Sequence, residues 1–313
     1  MSRDGRGAAS TAAAAAGSLG ASGVTVRITT FSIVTGSGAC DARCPFCVSR
    51  MTGAAPARPT PPRWRNFEIA CQLAVRAGAT TAMLTGKGEP TLWPELVTEH
   101  LERLRRHPIP LVELQTNGLG VARGRLDRGT LEAWYELGLS TVALSVAGVD
   151  PEQNRAIYTP QQPYPDLVAT IDALHDVGFT VRLICVMLRG FVDGPAPVTE
   201  LVAFARGHRV EQLTLLPVAR PDAAQDQDAA AWVGAHALGR GELLAIHKWL
   251  EYHGTPVLEL PHGARVYDVR GQNVCLNHCL DPQPTRPDEM RNLIFFPDGR
   301  LRHRWDAEGA VIL

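Results

Sequence analysis

The sequence predicts an α/β protein built on a partial (β/α)6 TIM-like barrel, with a short C-terminal cap containing a β-hairpin. Three observations lead there. From residue 24 to about 218, six strand-like segments alternate with amphipathic helical ones, the pattern of a parallel sheet with right-handed crossovers. The cysteine-, glycine- and asparagine-bearing motifs all fall at C-terminal strand ends, where α/β barrels build their sites. Six units are too few to close an eight-fold barrel, so an open one is expected.

The elements follow in order. Residues 1–23 are low in complexity, rich in alanine and glycine, and read as a disordered tail. Lacking a leucine-rich stretch, they do not resemble a signal peptide. Val24 to Thr35 is β-branched and forms the first strand, which delivers a cysteine loop at its end. Phe67, Ala70, Cys71 and Ala74 share one face of the next helix, closed by Gly78, so Cys71 reads as a buried helix residue.

Thr80 to Thr85 is the second strand, followed by a helix from Trp93-Pro94 to about Arg106. Leu111 to Gln115, Thr141 to Val146, Thr180 to Leu188 and Gln212 to Pro217 continue the series. Helices are expected near 130–137, 166–177 and 198–207. Residues 219–239 read as a polar linker or lid, and residues 240–313 as the cap. Within the cap a helix at about 240–253 and a strand near Val257 to Leu260 precede the hairpin signal. That signal is Leu293 to Phe296, the turn Pro297-Asp298-Gly299, and Arg300 to Trp305.

Composition narrows the function. The 313-residue chain carries a formal net charge of -1, which offers nothing to nucleic acid or an anionic membrane. No apolar run approaches the roughly 20 residues of a membrane span. Seven cysteines in a chain of this length do not make a secreted disulfide scaffold. An oxygen-sensitive thiolate site fits a reducing cytoplasm.

Cys40, Cys44 and Cys47 are spaced CxxxCxxC on one short loop, with Phe46 before the last cysteine. Three thiolates can hold three irons of a 4Fe-4S cluster and leave the fourth iron without a protein ligand. An open iron can bind a reactant, whereas a fully ligated cluster only moves electrons. A zinc knuckle or an electron-transfer cluster would want a fourth ligand nearby, and His100 and His107 lie far off in a predicted helix.

The cysteine loop, the Gly86-Lys87-Gly88-Glu89-Pro90 loop after the second strand, and Thr116-Asn117-Gly118 after the third occur in that order. Together they resemble the radical S-adenosylmethionine (SAM) enzymes, over roughly residues 27–217. The resemblance implies a 4Fe-4S cluster on Cys40, Cys44 and Cys47, with SAM chelated at the open iron. One electron, from a donor such as flavodoxin or ferredoxin, then cleaves SAM, and the resulting deoxyadenosyl radical abstracts hydrogen from a substrate.

By the same resemblance, Phe46 lies beside the adenine, and Gly86, Gly88 and Glu89 match the loop that meets the methionine amino group. Lys87 replaces a glycine of that loop and reads as a solvated side chain. Thr116 and Asn117 face the methionine moiety or the substrate, Ser145 contacts SAM, and Leu216 touches the adenine. Taken alone, Asn117-Gly118 is a plain turn and Ser145 a satisfied strand-end hydroxyl.

A closer similarity is to the molybdenum-cofactor GTP cyclase branch. It is carried by Val181 to Gly190 with Asp193, and by Leu144-Ser145-Val146 with Asp150-Pro151. Arg182 stands where that branch places a basic substrate contact. Ile33 and Leu84 replace its substrate-binding arginines, and the chain ends Val311-Ile312-Leu313 rather than in paired glycines. A relative with a different substrate is therefore expected.

The cap is similar to a reduced form of a domain that carries a second cluster in related enzymes. Cys275 and Cys279 are its cysteine pair, and His303 stands near the place of a third. Three readings stay open: a second Fe-S cluster on these residues, a thiol that returns a hydrogen atom, or unused cysteines in a lid. The last is the plainest. Cys185 reads as a small buried hydrophobe, and Arg300, Arg302 and Arg304 as a solvated strand face.

The whole describes a radical SAM enzyme acting on a small organic substrate. The expected step is a tailoring one, cyclisation, epimerisation, decarboxylation or C-C coupling, in specialised-metabolite or nucleoside-type biosynthesis. A modifier of a ribosomal peptide is the first alternative, although no leader-binding module precedes residue 24. A non-catalytic iron–sulfur or zinc protein is the second.

Overall fold

β1 (Arg27–Val34) alternates as its sequence demands, with Phe31 and Ile33 buried toward the helices and Ser32 and Val34 toward the opposite face. It belongs to a computed structural model that describes residues 26–53, 55–159, 161–260, 263–277, 289–305 and 311–313. The sequence-predicted tail, residues 1–23, lies outside the described residues.

β2 (Thr81–Thr85), β3 (Leu111–Thr116), β4 (Thr141–Val146), β5 (Thr180–Met187) and β6 (Gln212–Pro217) follow β1 in sequential parallel order. These are the six strands the sequence predicts, within a residue or so at most ends. The helices between them are α1 (Val48–Met51), α2 (Trp64–Arg76), α3 (Pro94–Leu104), α4 (Leu119–Ala122) and α5 (Arg128–Glu136). Then come α6 (Pro151–Tyr158), α7 (Leu167–His175) and α8 (Pro195–Gly207).

α2 buries Phe67, Ala70, Cys71 and Ala74, the face its periodicity marks. One continuous core joins the outward sides of the strands to these helices, and Cys185 is fully buried in it. Trp134 of α5 is fully buried there too, and its indole donates to the Thr98 hydroxyl at 2.9 Å. Each such large side chain contributes about 1.5–3 kcal/mol by leaving water.

Beyond the barrel units come α9 (Gln227–His236) and α10 (Arg240–His253), then β7 (Thr255–Glu259), β8 (Arg265–Val269), β9 (Gln272–Leu276), β10 (Glu289–Phe295) and β11 (Leu301–Arg302). The stretch read as a linker or lid holds α9, whose Ala229, Ala230 and Val233 pack around Met51 of α1. Asp226 caps α9 by accepting from Ala229 N at 2.9 Å.

The expected hairpin is present, with β10 antiparallel to β11 and Gly299 in the left-handed conformation its turn requires. β10 also pairs in parallel with β1, in register Arg27↔Glu289, while β9 pairs in parallel with β6. The C-terminal segment thereby extends the barrel sheet at both edges. The resulting order is β11-β10-β1-β2-β3-β4-β5-β6-β9-β8-β7 in an eleven-stranded sheet. An open barrel leaves two edges of unpaired backbone groups, and these strands occupy both.

Candidate active site

The C-terminal ends of the strands open on a cavity of about 790 Å³. The loop after β1 brings Cys40, Cys44, Phe46 and Cys47 to its wall; the loop after β2 brings Gly86, Gly88 and Glu89. Thr116 and Asn117 of the β3 end, Ser145 of β4 and Leu216 of β6 complete the set that the sequence singles out. Residues dispersed over 177 positions of sequence, from Cys40 to Leu216, thus line one space.

Close backbone contact between two loops builds the floor. Gly88 N donates to the Ser37 carbonyl at 2.9 Å, and Glu89 N to the Ala39 carbonyl at 2.9 Å. A Cβ on Gly88 would stand 1.9 Å from the Ala39 oxygen, so only glycine fits there. The glycine therefore serves the docking of the cysteine loop, as well as standing at the cavity wall where the sequence places it.

Glu89 is the hub. Oε1 accepts from Thr91 N at 3.0 Å, the Thr91 hydroxyl at 2.8 Å and the Thr116 hydroxyl at 2.6 Å; Oε2 accepts from Asn117 N at 2.9 Å. Burial pushes the carboxyl pKa up, while these donors, led by Thr116, pull it down. Asn117 carries the linkage onward, its Nδ2 donating to Asp41 Oδ1 at 2.8 Å. Arg125 Nη2 donates to Asp41 Oδ2 at 2.8 Å.

The turn reading of Asn117-Gly118 also holds. Asn117 Oδ1 accepts from Leu119 N at 2.9 Å, and Gly118 has a φ of 77°. Asn117 thus both forms the turn and lines the cavity. Lys87 departs from the sequence expectation of a solvated side chain: its Nζ donates to Thr52 O at 3.0 Å and to Thr52 Oγ1 at 2.8 Å. It thereby ties the β2 loop to the residue just past α1.

The sequence reading missed Gln115, Tyr158 and Val186, which also line the cavity. Strand alternation could have found Gln115 and Val186, because their neighbours Leu114 and Cys185 face the helical core. Tyr158 comes from the end of α6, a helix the sequence reading did not place. It is fully buried, sits edge-on to Phe46 at 6.2 Å, and its hydroxyl has no protein partner.

Arg182 lies elsewhere on the inner wall. It pairs with Glu113, itself buried, and does not line the cavity. Cys275 is buried on β9, in register with Thr214 and packed by Ala264 and Val266. Burial raises its thiol pKa, while Arg182 and Arg291 beside it favour the thiolate. Cys279 falls outside the described residues. The three arginines expected on one solvated face are divided: Arg300 is exposed beside Asp298, and Arg302 leans over the Phe296 ring.

The residues fit the cluster and SAM that the motifs imply. Cys40, Cys44 and Cys47 are free thiols around one opening. Burial pushes the Cys40 thiol up to about 12, and Cys44 rises further through burial and then its neighbours Cys47 and Cys40. Such a group ionises readily only when a metal supplies the positive charge. Among the described residues, no three His, Cys, Asp or Glu side chains converge on a point suited to one metal ion. The ligands of a cubane bind separate irons and so surround a volume.

Comparison with known proteins decides the family. Residues 34–201 match the model of the Radical SAM superfamily. The chain belongs to the radical SAM superfamily. Radical SAM enzymes use a 4Fe-4S cluster and SAM, and this chain is related to their GTP 3',8-cyclase branch.

It is 26% identical to the GTP 3',8-cyclase of Rhizobium etli over 187 residues, covering 59% of this chain and 51% of that one. To the GTP 3',8-cyclase of Acidothermus cellulolyticus it is 29% identical over 273 residues, covering 83% and 62%. The chain thus spans little more than half the length of these curated relatives. Among solved structures, Streptococcus suis SuiB bound to S-adenosylmethionine superposes with a TM-score of 0.56 at 14% identity. That superposition covers 90% of this chain and 58% of SuiB. These likenesses give the radical SAM fold. Among the described residues, no helix is long and apolar enough to cross a membrane.

Proposed function

We propose that this chain is a radical SAM enzyme that binds one 4Fe-4S cluster through Cys40, Cys44 and Cys47 and SAM in the adjoining cavity. The single observation carrying this reading is the gathering of all three thiols and the β2, β3, β4 and β6 strand ends around one space. When bound, the reduced cluster and SAM supply a deoxyadenosyl radical able to take a hydrogen atom from a small organic substrate.

The protein's own part is positioning and shielding. Glu89 holds the second and third loops together from behind the wall, while Gly86 and Gly88 leave backbone groups accessible to the methionine end of SAM. Phe46, Val186 and Leu216 offer apolar surface to the adenine, and Ser145 a hydroxyl. Tyr158 presents a buried phenol to the same space.

Ile33 is fully buried in the helical core, as is Leu84. Neither can meet a triphosphate, so the reading departs from the cyclase reaction and stays with a tailoring step on a different substrate. The electron would come from a donor of the flavodoxin or ferredoxin kind, in the cytoplasm.

Anaerobic reconstitution with iron and sulfide, followed by SAM and a strong reductant, tests the reading. It requires 5'-deoxyadenosine release that is lost, with the iron, in Cys40→Ala, Cys44→Ala, Cys47→Ala protein. Tetrahedral zinc and no SAM cleavage would overturn it. Deuterium transfer from candidate substrates into deoxyadenosine would then identify the hydrogen that is taken.

A further inference from the structure

A second cavity, of about 310 Å³, lies between Thr52, Gly53 and residues 55–60, the β2 loop and the C-terminal hairpin. It shares Gly53, Ala55 and Lys87 with the larger cavity, so the two spaces adjoin across the Lys87 side chain. Its charge is one-sided. Arg58, Lys87 and Arg302 line it, against the single carboxylate of Asp298.

That carboxylate is already engaged, accepting from Arg300 N at 3.0 Å and lying 3.7 Å from Arg300 Nε. Among the described residues, none of Arg58, Lys87 and Arg302 makes an ion pair. The Nε of Arg302 is buried with no hydrogen-bond partner, its guanidinium held over the Phe296 ring at 4.7 Å. An orphaned buried guanidinium nitrogen is costly unless something completes it.

Lys87 adds a second cation. Thr52 takes two of its three ammonium protons, leaving one for the cavity. Lys87 and Arg302 line the same cavity, so two cationic side chains share this space while its carboxylate, Asp298, is turned to Arg300. A bound anion would offset both charges.

We propose that this cavity is an oxyanion subsite, in which Arg302, Lys87 and Arg58 bind a carboxylate or phosphate group of the substrate. Guanidinium suits either group through paired, charge-assisted hydrogen bonds. Attribution to the substrate rests on the proposed SAM site next door; the oxyanion site itself does not. With its acid end held beside Lys87, a ligand extends its remainder into the larger cavity, which places a hydrogen-bearing carbon within reach of that space.

Calorimetric titration of the reconstituted, anaerobic protein with inorganic phosphate, and separately with acetate, tests the proposal in low-chloride buffer. Saturable binding of one of the two at a single site is expected, and which one binds tells carboxylate from phosphate. Arg302→Gln should weaken it by about tenfold or more, the value of one lost charge-assisted pair. Arg58→Gln should weaken it severalfold. Arg65→Gln, at an exposed position of α2 outside the cavity, should bind within about twofold of the parent, as expected for a screened surface charge. Thermal melting of each variant establishes that it is folded.

No saturable binding of either anion overturns the proposal. Equal weakening by Arg65→Gln also overturns it, because the attraction is then a diffuse field. Loss of the anion on saturation with SAM overturns it as well, by assigning these cations to SAM itself. None of these readings depends on deoxyadenosine release, so failure of the subsite and failure of the radical chemistry are told apart.

Discussion

Glu89 Oε1 and the Thr116 hydroxyl are 2.6 Å apart, joining the ends of β2 and β3 where both residues are buried. The carboxylate accepts four hydrogen bonds and donates none, so its charge-neutral isostere cannot replace it. Glu89→Gln should turn an NH2 group against these donors. The expected cost is about 1–3 kcal/mol of stability, with SAM affinity falling as the loops separate. Chemical denaturation and SAM titration of the variant check both, and unchanged affinity would count against the hub.

Gly88→Ala and Gly129→Ala make a contrasting pair. The first drives a Cβ into the Ala39 carbonyl at 1.9 Å, whereas the second meets nothing nearer than 3.8 Å. Overpacking against backbone should cost about 1–3 kcal/mol or more and lower iron incorporation, since Ala39 adjoins Cys40. Gly129 lies in the first turn of α5, where alanine should be neutral or stabilising by up to about 1 kcal/mol. Iron content and melting temperature of the two variants separate these outcomes.

His100 confers a pH dependence. Its Nδ1 lies 2.7 Å from the Leu96 carbonyl, which fixes the ring proton there, and Nε2 is buried without a partner. Burial lowers its pKa from 6.5 to about 4, with Arg103 adding to that effect and the Leu96 bond opposing it. Between those values the unfolded chain holds the extra proton and the folded chain does not. This contribution is therefore complete above pH 6.5 and is lost as pH falls toward 4, by about 3 kcal/mol in all. His100→Phe should show a shallower loss over that window in urea denaturation; parallel curves would be evidence against the buried neutral ring.

Glu113 and Arg182 form a largely buried ion pair across the inner wall, from β3 to β5. Removing one partner strands a charge and should cost about 3–5 kcal/mol, while Glu113→Leu with Arg182→Met should recover most of it. A double-mutant cycle measures the difference. If Arg182→Met alone leaves stability unchanged yet abolishes substrate turnover, its charge serves the substrate instead.

Asn117→Asp should set a carboxylate 2.8 Å from Asp41, in place of the amide that donates to it. Like charges at that distance repel, and Arg125 already serves Asp41 alone. Reconstituted iron is expected to fall, with partial rescue by added salt, which screens the pair.

Much of this protein is legible in its sequence because the signals are local. Alternation sets the six central strands, a 3.6-residue period sets the buried face of α2, and the strand-end motifs name most of the cavity wall. The short α6 and α9 escaped, although Asp150 before Pro151 and Asp226 each supply an N-cap that marks a helix start. The polar composition of 219–236 outweighed that signal. Lys87 and Arg302 escaped for another reason: their meeting depends on β10 pairing with β1, a contact between residues 262 apart at the register Arg27↔Glu289. No local pattern encodes it.

That pairing bears on how the chain is made. During synthesis β1 leaves the ribosome long before β10, and its outer edge waits for that partner while the intervening segments of the sheet follow. β6 similarly waits for β9. The six-stranded intermediate carries two open hydrogen-bonding edges, a state that is slow to resolve and able to pair with other chains. Shortening the chain before residue 289 should therefore produce insolubility on expression before it produces any change in chemistry.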